Sequence, residues 1–456
     1  MSRKQKLSLA IAIGLNLLLF NFVQAEVITL DLDKARELAL LNNPTIKIAR
    51  EGIAKAQAKV HEAGSNFLPS LTGFTSLQHA WQIQTTLMPN FIKDMMGPAA
   101  PPGMPDYVRI SFGVDNTLAY GLNFSQPLYL GGTVRAGYAI SKRGLEIARS
   151  QYKATEQKVL SDVVSSFYGI LFARSAVKVM EEALASSQHN LEQVKSFYNV
   201  GKSSKFDVLR AEVQVANYQP MVVSARNNLR LAEEQLRNLL GLSDDKQIDV
   251  QGELVYIPCT LLKNSIEELT QYALLNRPEV QILQKQKEMA HYQIGLARAG
   301  YKPSLIFGTS YQYQGQRTDF KFTSDDFRKG FNSSISLSIP LMSGFSTAAK
   351  VQQAKIAVRE NDFQYEALVN GIRLEVKAAY LKVQEVDQNV ITQTKTVEQA
   401  AEAVRLAELM YAEGGSTQLD VLNAHLALNQ ARMNYQQSLY QYHLAITNLK
   451  KAINQL

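Results

Sequence analysis

The 456-residue chain has one cysteine, Cys259, one tryptophan, Trp81, and six scattered histidines. A lone thiol forms no internal disulfide and founds no cysteine-rich zinc site, so Cys259 is read as a small, inert apolar residue. His61, His79, His189, His291, His425 and His443 show no metal spacing of the H-E-x-x-H kind. No metal and no cofactor is expected. Gly201-Lys202-Ser203 has the ending of a P-loop, but Ser196 stands where its first glycine belongs. No G-x-S-x-G elbow occurs, and nothing else assembles an enzyme site. Charge is equally uninformative: of the formal +7, three units sit at Arg3, Lys4 and Lys6. That balance excludes a nucleic-acid footprint.

Long apolar runs are scarce too. The run Leu7–Phe22 follows a basic start and ends in Val23-Gln24-Ala25, a signal peptide over 1–25 with cleavage after Ala25. No cysteine follows to carry a lipid, and no later stretch is read as a membrane-spanning helix. Proline is absent from 128–219 and from 341–456, which leaves room for very long helices.

Those proline-free stretches carry the ladder that organises the chain. Val163, Ile170, Val177, Leu184, Leu191 and Tyr198 recur every seven residues, and Val376, Val383, Val390, Val397, Val404 and Tyr411 repeat the pattern. A sustained heptad keeps one seam on a neighbouring helix. Each ladder ends at a glycine, Gly201 or Gly414. Phe206-Asp207-Val208-Leu209 and Leu419-Asp420-Val421-Leu422 follow. Two long antiparallel helical hairpins are expected.

The duplication extends further. Pro44 and Pro69 return at Pro278 and Pro303; Pro127, Gly201 and Asp207 return at Pro340, Gly414 and Asp420. The first repeat spans 26–240, with strands about 66–84 and 114–128, a long helix 133–200 and a return helix 204–240. The second spans 265–456, with strands about 303–315 and 330–341, a long helix 347–413 and a return helix 418–452. Residues 241–264 are a strand-and-turn linker. The long helices would run ~100 Å at 1.5 Å per residue. Pro220 should kink the first return helix. Pro69, Pro127, Pro303 and Pro340 mark strand–helix transitions, Pro127 and Pro340 closing strands. The first repeat has extra residues holding Pro89, Pro98, Pro101, Pro102 and Pro105, expected as a plain loop.

The strands alternate. Phe331, Ser333, Ile335, Leu337 and Ile339 interleave with Asn332, Ser334, Ser336 and Ser338; Leu118, Tyr120, Leu122 and Phe124 with Ala119, Gly121, Asn123 and Ser125. One face is apolar and the other small and uncharged, which favours a membrane barrel over a sheet on a soluble core. Four strands are too few to enclose a lumen, so several chains must share the wall.

Signal peptide, duplication, two strands per repeat and glycine turns followed by Asp-Val-Leu together resemble the TolC family of outer-membrane efflux proteins. The most specific phrases are Phe197–Gly201 with Asp207-Val-Leu209 and Tyr411–Gly414 with Asp420-Val-Leu422. The resemblance implies a mainly α fold with a β-barrel part. A homotrimer would build a 12-stranded transmembrane β-barrel in outer-membrane lipid, continued by a 12-helix periplasmic α-barrel. It implies an exit duct passing drugs from an inner-membrane pump and a periplasmic adaptor to the outside. The same duct can serve type I protein secretion. A non-conducting coiled-coil scaffold is the alternative of a different class. For the periplasmic gate the resemblance points to Asp420, Asp207 and Tyr411. Asn423 stands where a second acidic residue is usual, and Ser416 where an arginine is usual. The turns Val200-Gly201-Lys202 and Glu413-Gly414-Gly415 are the expected adaptor-docking tips. From the residues alone, Asp207 and Asp420 also suit helix N-terminal capping, and the glycines suit turn conformation.

Overall fold

The computed structural model describes residues 27–243 and 246–456. The signal peptide expected over 1–25, and Asp244-Asp245 of the linker, lie outside them. In chain order the described elements begin with β1 (Val27–Leu30), α1 (Leu32–Asn42), α2 (Pro44–Ser65), β2 (Ser70–His79), β3 (Thr85–Pro89), α3 (Phe91–Met96), β4 (Tyr107–Ser111) and β5 (Asn116–Leu130). They continue with α4 (Thr133–Asn199), α5 (Lys205–Leu239), β6 (Gln247–Val250), α6 (Ile266–Asn276), α7 (Pro278–Arg298), β7 (Ser304–Arg317), β8 (Phe327–Ser338), α8 (Ser346–Ala412) and α9 (Gln418–Ala452). The described residues divide into two compact units: those of 27–54, 147–284 and 363–456 form the helical unit, and 55–146 and 285–362 the sheet unit.

Helix starts follow local chemistry. Asp31 accepts from the Lys34 amide at 2.8 Å to open α1. Asn43, fixed in an extended conformation by Pro44, accepts from the Thr45 amide at 2.7 Å to open α2. Ser265 and Glu268 form a capping box at α6. Pro220 stands inside α5 without ending it.

In the helical unit the core runs along the second ladder. Val376, Val383 and Val390 are essentially fully buried, with Ile372 and Val386 beside them. On α4 the seam drifts: Val163 and Ile170 are buried, then burial passes to Val179, Ala183 and Val194, leaving Val177, Leu184 and Leu191 half-covered. Each fully buried side chain of this size contributes ~1.5–3 kcal/mol, against ~0–1 for an exposed ion pair. The seam therefore outweighs the surface charges. It also explains one correction: α4 carries an 18-residue window apolar enough, by length and composition, to cross a membrane. Val159, Val163, Val164, Phe167, Ile170 and Leu171 of this helix are buried in the helical core.

Two end-to-end junctions complete this unit. The Asn43 amide donates to the Leu239 carbonyl at 2.7 Å, joining the start of α2 to the end of α5. Asn454 donates to the Asn276 carbonyl at 3.1 Å, joining the end of α9 to the step between α6 and α7. β1 pairs in parallel with β6 of the linker, a pairing the sequence reading did not contain. The linker carbonyls of Ile257 and Leu262 accept from the hydroxyls of Tyr442 (2.9 Å) and Tyr380 (3.2 Å).

The sheet unit holds one antiparallel sheet in the order β2-β5-β7-β8. The insert is not a plain loop. β3 and β4 form a separate two-stranded hairpin, with α3 in its connection. Buried Asn90 organises it, donating to the Pro105 carbonyl at 3.0 Å and accepting from the Lys93 amide at 3.4 Å. The prolines fit because Pro89 ends a strand and Pro98 lies in the first turn of the 3-10 helix Gly97–Ala99. β2 is also shorter than the 66–84 expected, since 66–69 finish the turn after α2. Pro127 does not close its strand: β5 continues to Leu130. Its missing N–H falls where pairing with β2 has stopped at Ser125, and where the register with β7 slips between Pro127 and Tyr129.

Candidate functional site: the hairpin turns and the open sheet

The two turns are built alike. After α4 the Lys202 amide donates to the Phe197 carbonyl at 2.8 Å and the Gly201 amide to Tyr198 at 3.0 Å. After α8 the Gly415 amide donates to Met410 at 2.8 Å and the Gly414 amide to Tyr411 at 3.1 Å. This pair of bonds needs a left-handed residue, and Gly201 and Gly414 supply it with φ of 75° and 79°. Val200, Gly201, Lys202, Glu413, Gly414 and Gly415 are all exposed.

Asp207 and Asp420 each serve a capping box. Asp420 Oδ2 accepts from the Thr417 amide at 2.8 Å and the Thr417 hydroxyl at 2.6 Å. Asp207 Oδ2 accepts from the Ser204 hydroxyl at 2.6 Å and the Ser204 amide at 3.1 Å. The hydrogen bonds from Thr417 hold Asp420 below the usual carboxylate range, and those from Ser204 do the same for Asp207. In one chain these carboxylates stay charged and close their own helices. Ser416 turns back to its own long helix, donating to the Ala407 carbonyl at 3.3 Å. Asn423 is exposed. Tyr411 is half-buried, its ring 5.5 Å from that of Phe197.

A second cluster lies beyond the turns. His425 of α9 places Nδ1 3.2 Å from the Ser186 hydroxyl of α4 and Nε2 2.9 Å from Glu408 of α8. Sequence reading missed it because the three residues are 239 and 17 positions apart; the signal lay in a histidine on the buried side of a helix. The order serine, histidine, carboxylate resembles a hydrolase triad. Ser186, however, sits mid-helix, where the backbone amides are committed to the helix. Nearby, Arg432 of α9 pairs with Glu182 of α4 at 3.1 Å. Among the described residues no group of three His, Cys, Asp or Glu side chains is placed to hold a metal.

In the sheet unit, cross-strand partners align the apolar side chains. Gly73, Leu122, Tyr311 and Phe331 form one row, and Leu77 and Leu118 lie opposite each other in another. Leu71, Leu77, Leu122, Phe331, Ile335 and Leu337 are all exposed. The other face presents Thr72, Asn123, Ser310 and Asn332 in one row. Among the described residues, β2 and β8 each lack a partner on their outer side. Pro69 immediately precedes β2, Pro303 immediately precedes β7, and Pro340 lies two residues after β8.

Long paired helices in one unit, and in the other an open sheet with an exposed apolar face, define the architecture of an outer-membrane duct. The profile of the family described as outer membrane efflux protein matches residues 35–242 and 269–455. The chain belongs to that family. It is 27% identical over 340 residues to the outer membrane protein TolC of Vibrio cholerae, covering 74% of this chain and 77% of that protein. It is 24% identical over 463 residues to TolC of Escherichia coli K12, covering 98% and 86%. The crystal structure of the Campylobacter jejuni CmeC outer membrane channel superposes with a TM-score of 0.73 at 19% identity, covering 93% of this chain and 85% of that one. The protein is therefore an outer-membrane efflux protein.

Proposed function

We propose that three copies assemble through their sheet edges into one duct, the exit of a tripartite system. The carrying observation is the open four-stranded sheet whose apolar face and two edges are uncovered. Unpaired backbone groups in lipid cost several kcal/mol each. β8 of one copy must therefore pair with β2 of the next, and three copies give twelve strands. Helices from the same copies then line a periplasmic tunnel. A periplasmic adaptor docks at Val200-Gly201-Lys202 and Glu413-Gly414-Gly415, and an inner-membrane pump supplies small toxic compounds. Type I protein secretion through the same duct is the second use, decided by the partner pump.

The gate is Asp420, with Asp207 and Tyr411 around it. Three Asp420 carboxylates gathered on an axis repel and attract cations, in addition to capping their helices. Asn423 and Ser416 leave this gate with fewer ionic links. The test is single-channel recording of the reconstituted trimer, wild type and Asp420→Ala, with and without divalent cations. A conducting trimer supports the duct, and a non-conducting one makes the chain a scaffold. Cation block that survives Asp420→Ala removes Asp420 from the gate. For docking, a bulky side chain at Gly201 should abolish adaptor crosslinking while trimers still form.

A further inference from the structure

We infer that His425 is a proton-operated latch that ties the two hairpins to each other, a regulation of the duct and resting on that reading. His425 is the junction of three long helices. It reaches α8 of its own hairpin through Glu408 (2.9 Å) and α4 of the other hairpin through Ser186 (3.2 Å). Its side chain is only 16% exposed, so water competes poorly for either bond.

The neutral ring satisfies both partners in one tautomer. Nε2–H donates to the Glu408 carboxylate, and Nδ1 accepts from the Ser186 hydroxyl. Imidazole is the side chain that changes charge between pH 5 and 8. Protonation at Nδ1 reverses the second bond: Nδ1–H now donates and the Ser186 oxygen accepts. A serine hydroxyl does both, so the link to α4 survives. The Ser186 bond, neutral on both sides before, thereby becomes charge-assisted and roughly twice as strong, and the Glu408 bond, whose acceptor was already ionised, becomes an ion pair. Acid therefore tightens the junction and base relaxes it.

The other charges nearby are engaged. Glu182 of α4 pairs with Arg432 of α9 at 3.1 Å. Arg405 of α8 pairs with Glu402 at 2.7 Å, and Glu212 of α5 with Lys195 of α4 at 3.1 Å. Glu408 is the carboxylate that answers the ring. His189 of α4 is exposed and serves as the control. Separating the hairpins to widen the tunnel breaks the Ser186 bond, so the latch opposes opening most strongly at low pH.

Two measurements test it. In planar bilayers the wild-type trimer should open less at pH 5.5 than at 7.5, by roughly fivefold in open probability. His425→Gln should erase that ratio, Glu408→Gln should reduce it, and His189→Gln should keep it. Ser186→Ala should raise opening at both pH values. A wild-type ratio in His425→Gln overturns the latch while conduction upholds the duct. A folded trimer that never conducts overturns the duct. The latch is then read from spin labels at the exposed positions Gln188 and Gln430, with Cys259 replaced by serine. Their distance distribution should narrow on acidification in the parent and not in His425→Gln. An unchanged parent distribution overturns it.

Discussion

The ring of Phe197 lies against the ring of Tyr411, centroids 5.5 Å apart and planes at 53°. Here the turn of one repeat touches the turn of the other. Aromatic pairs are worth ~0.5–1.5 kcal/mol beyond the area they bury. A double-mutant cycle with Phe197→Leu and Tyr411→Leu should return a coupling of that size in urea unfolding. A coupling of zero would mean the turns are independent.

Gly121 has no room for a side chain. A Cβ there would stand 2.4 Å from the Tyr311 carbonyl oxygen and 2.8 Å from the Gln312 Cα. Both are backbone atoms of β7, so the pairing itself must yield. Gly121→Val should lose the β5–β7 register and with it the proposed trimer. Native gels of outer-membrane fractions would show the loss, and Gly73→Val, whose Cβ meets the end of Leu122 at 3.7 Å and the Gly121 carbonyl oxygen at 3.9 Å, both ordinary contacts, should be far milder.

Asn43 is buried and uses both ends of its amide, on the Thr45 amide and the Leu239 carbonyl. Asn43→Ala removes a cap and strands a buried carbonyl, so it should cost ~1–3 kcal/mol. Asn43→Asp keeps the cap but sets a carboxylate against the Leu239 carbonyl. It should lie no higher in stability than the alanine variant when urea midpoints are compared.

His443 stacks on Tyr168 and faces the Val255 carbonyl at 3.0 Å. Burial holds its imidazole below the usual histidine range, against the opposing pull of that carbonyl. Below ~6.5 the unfolded chain binds a proton that the folded chain resists. The stability present above that value is therefore lost as pH falls through it. His443→Gln should flatten the dependence between pH 7 and 5 in denaturant titrations. Asp207 and Asp420, held low by their caps, contribute stability that disappears only at more acidic pH.

The duplicated hairpins were legible because heptads and glycine turns are local and repetitive. Val376 and Val383 occupy the seam that their spacing announces. Leu184 and Leu191 have the same spacing and are half-covered, because a straight helix drifts against a strict seven-residue repeat. Pro127 misled because proline stops a strand only where its N–H is needed. The β3–β4 hairpin was hidden by its prolines, and its organiser, Asn90, looks like any loop residue. Asp420 was visible as a cap and as a gate candidate from one sequence position. The Ser186–His425–Glu408 junction was not visible, since nothing local links residues on three different helices.

β1 has a consequence for biogenesis. Its four residues lie about 220 positions before their ladder partner, which begins at Gln247. Leu30, 0% exposed, shares one cluster with Leu240, Val250 and Ile453. The ribbon must therefore wait, unpaired, until Gln247–Val250 have been delivered, and its surroundings close only with Ile453, just past the end of α9. A chaperone that shields the nascent amino end would act in that interval, and a product halted after the first repeat would keep an adhesive end rather than become a half-sized protein.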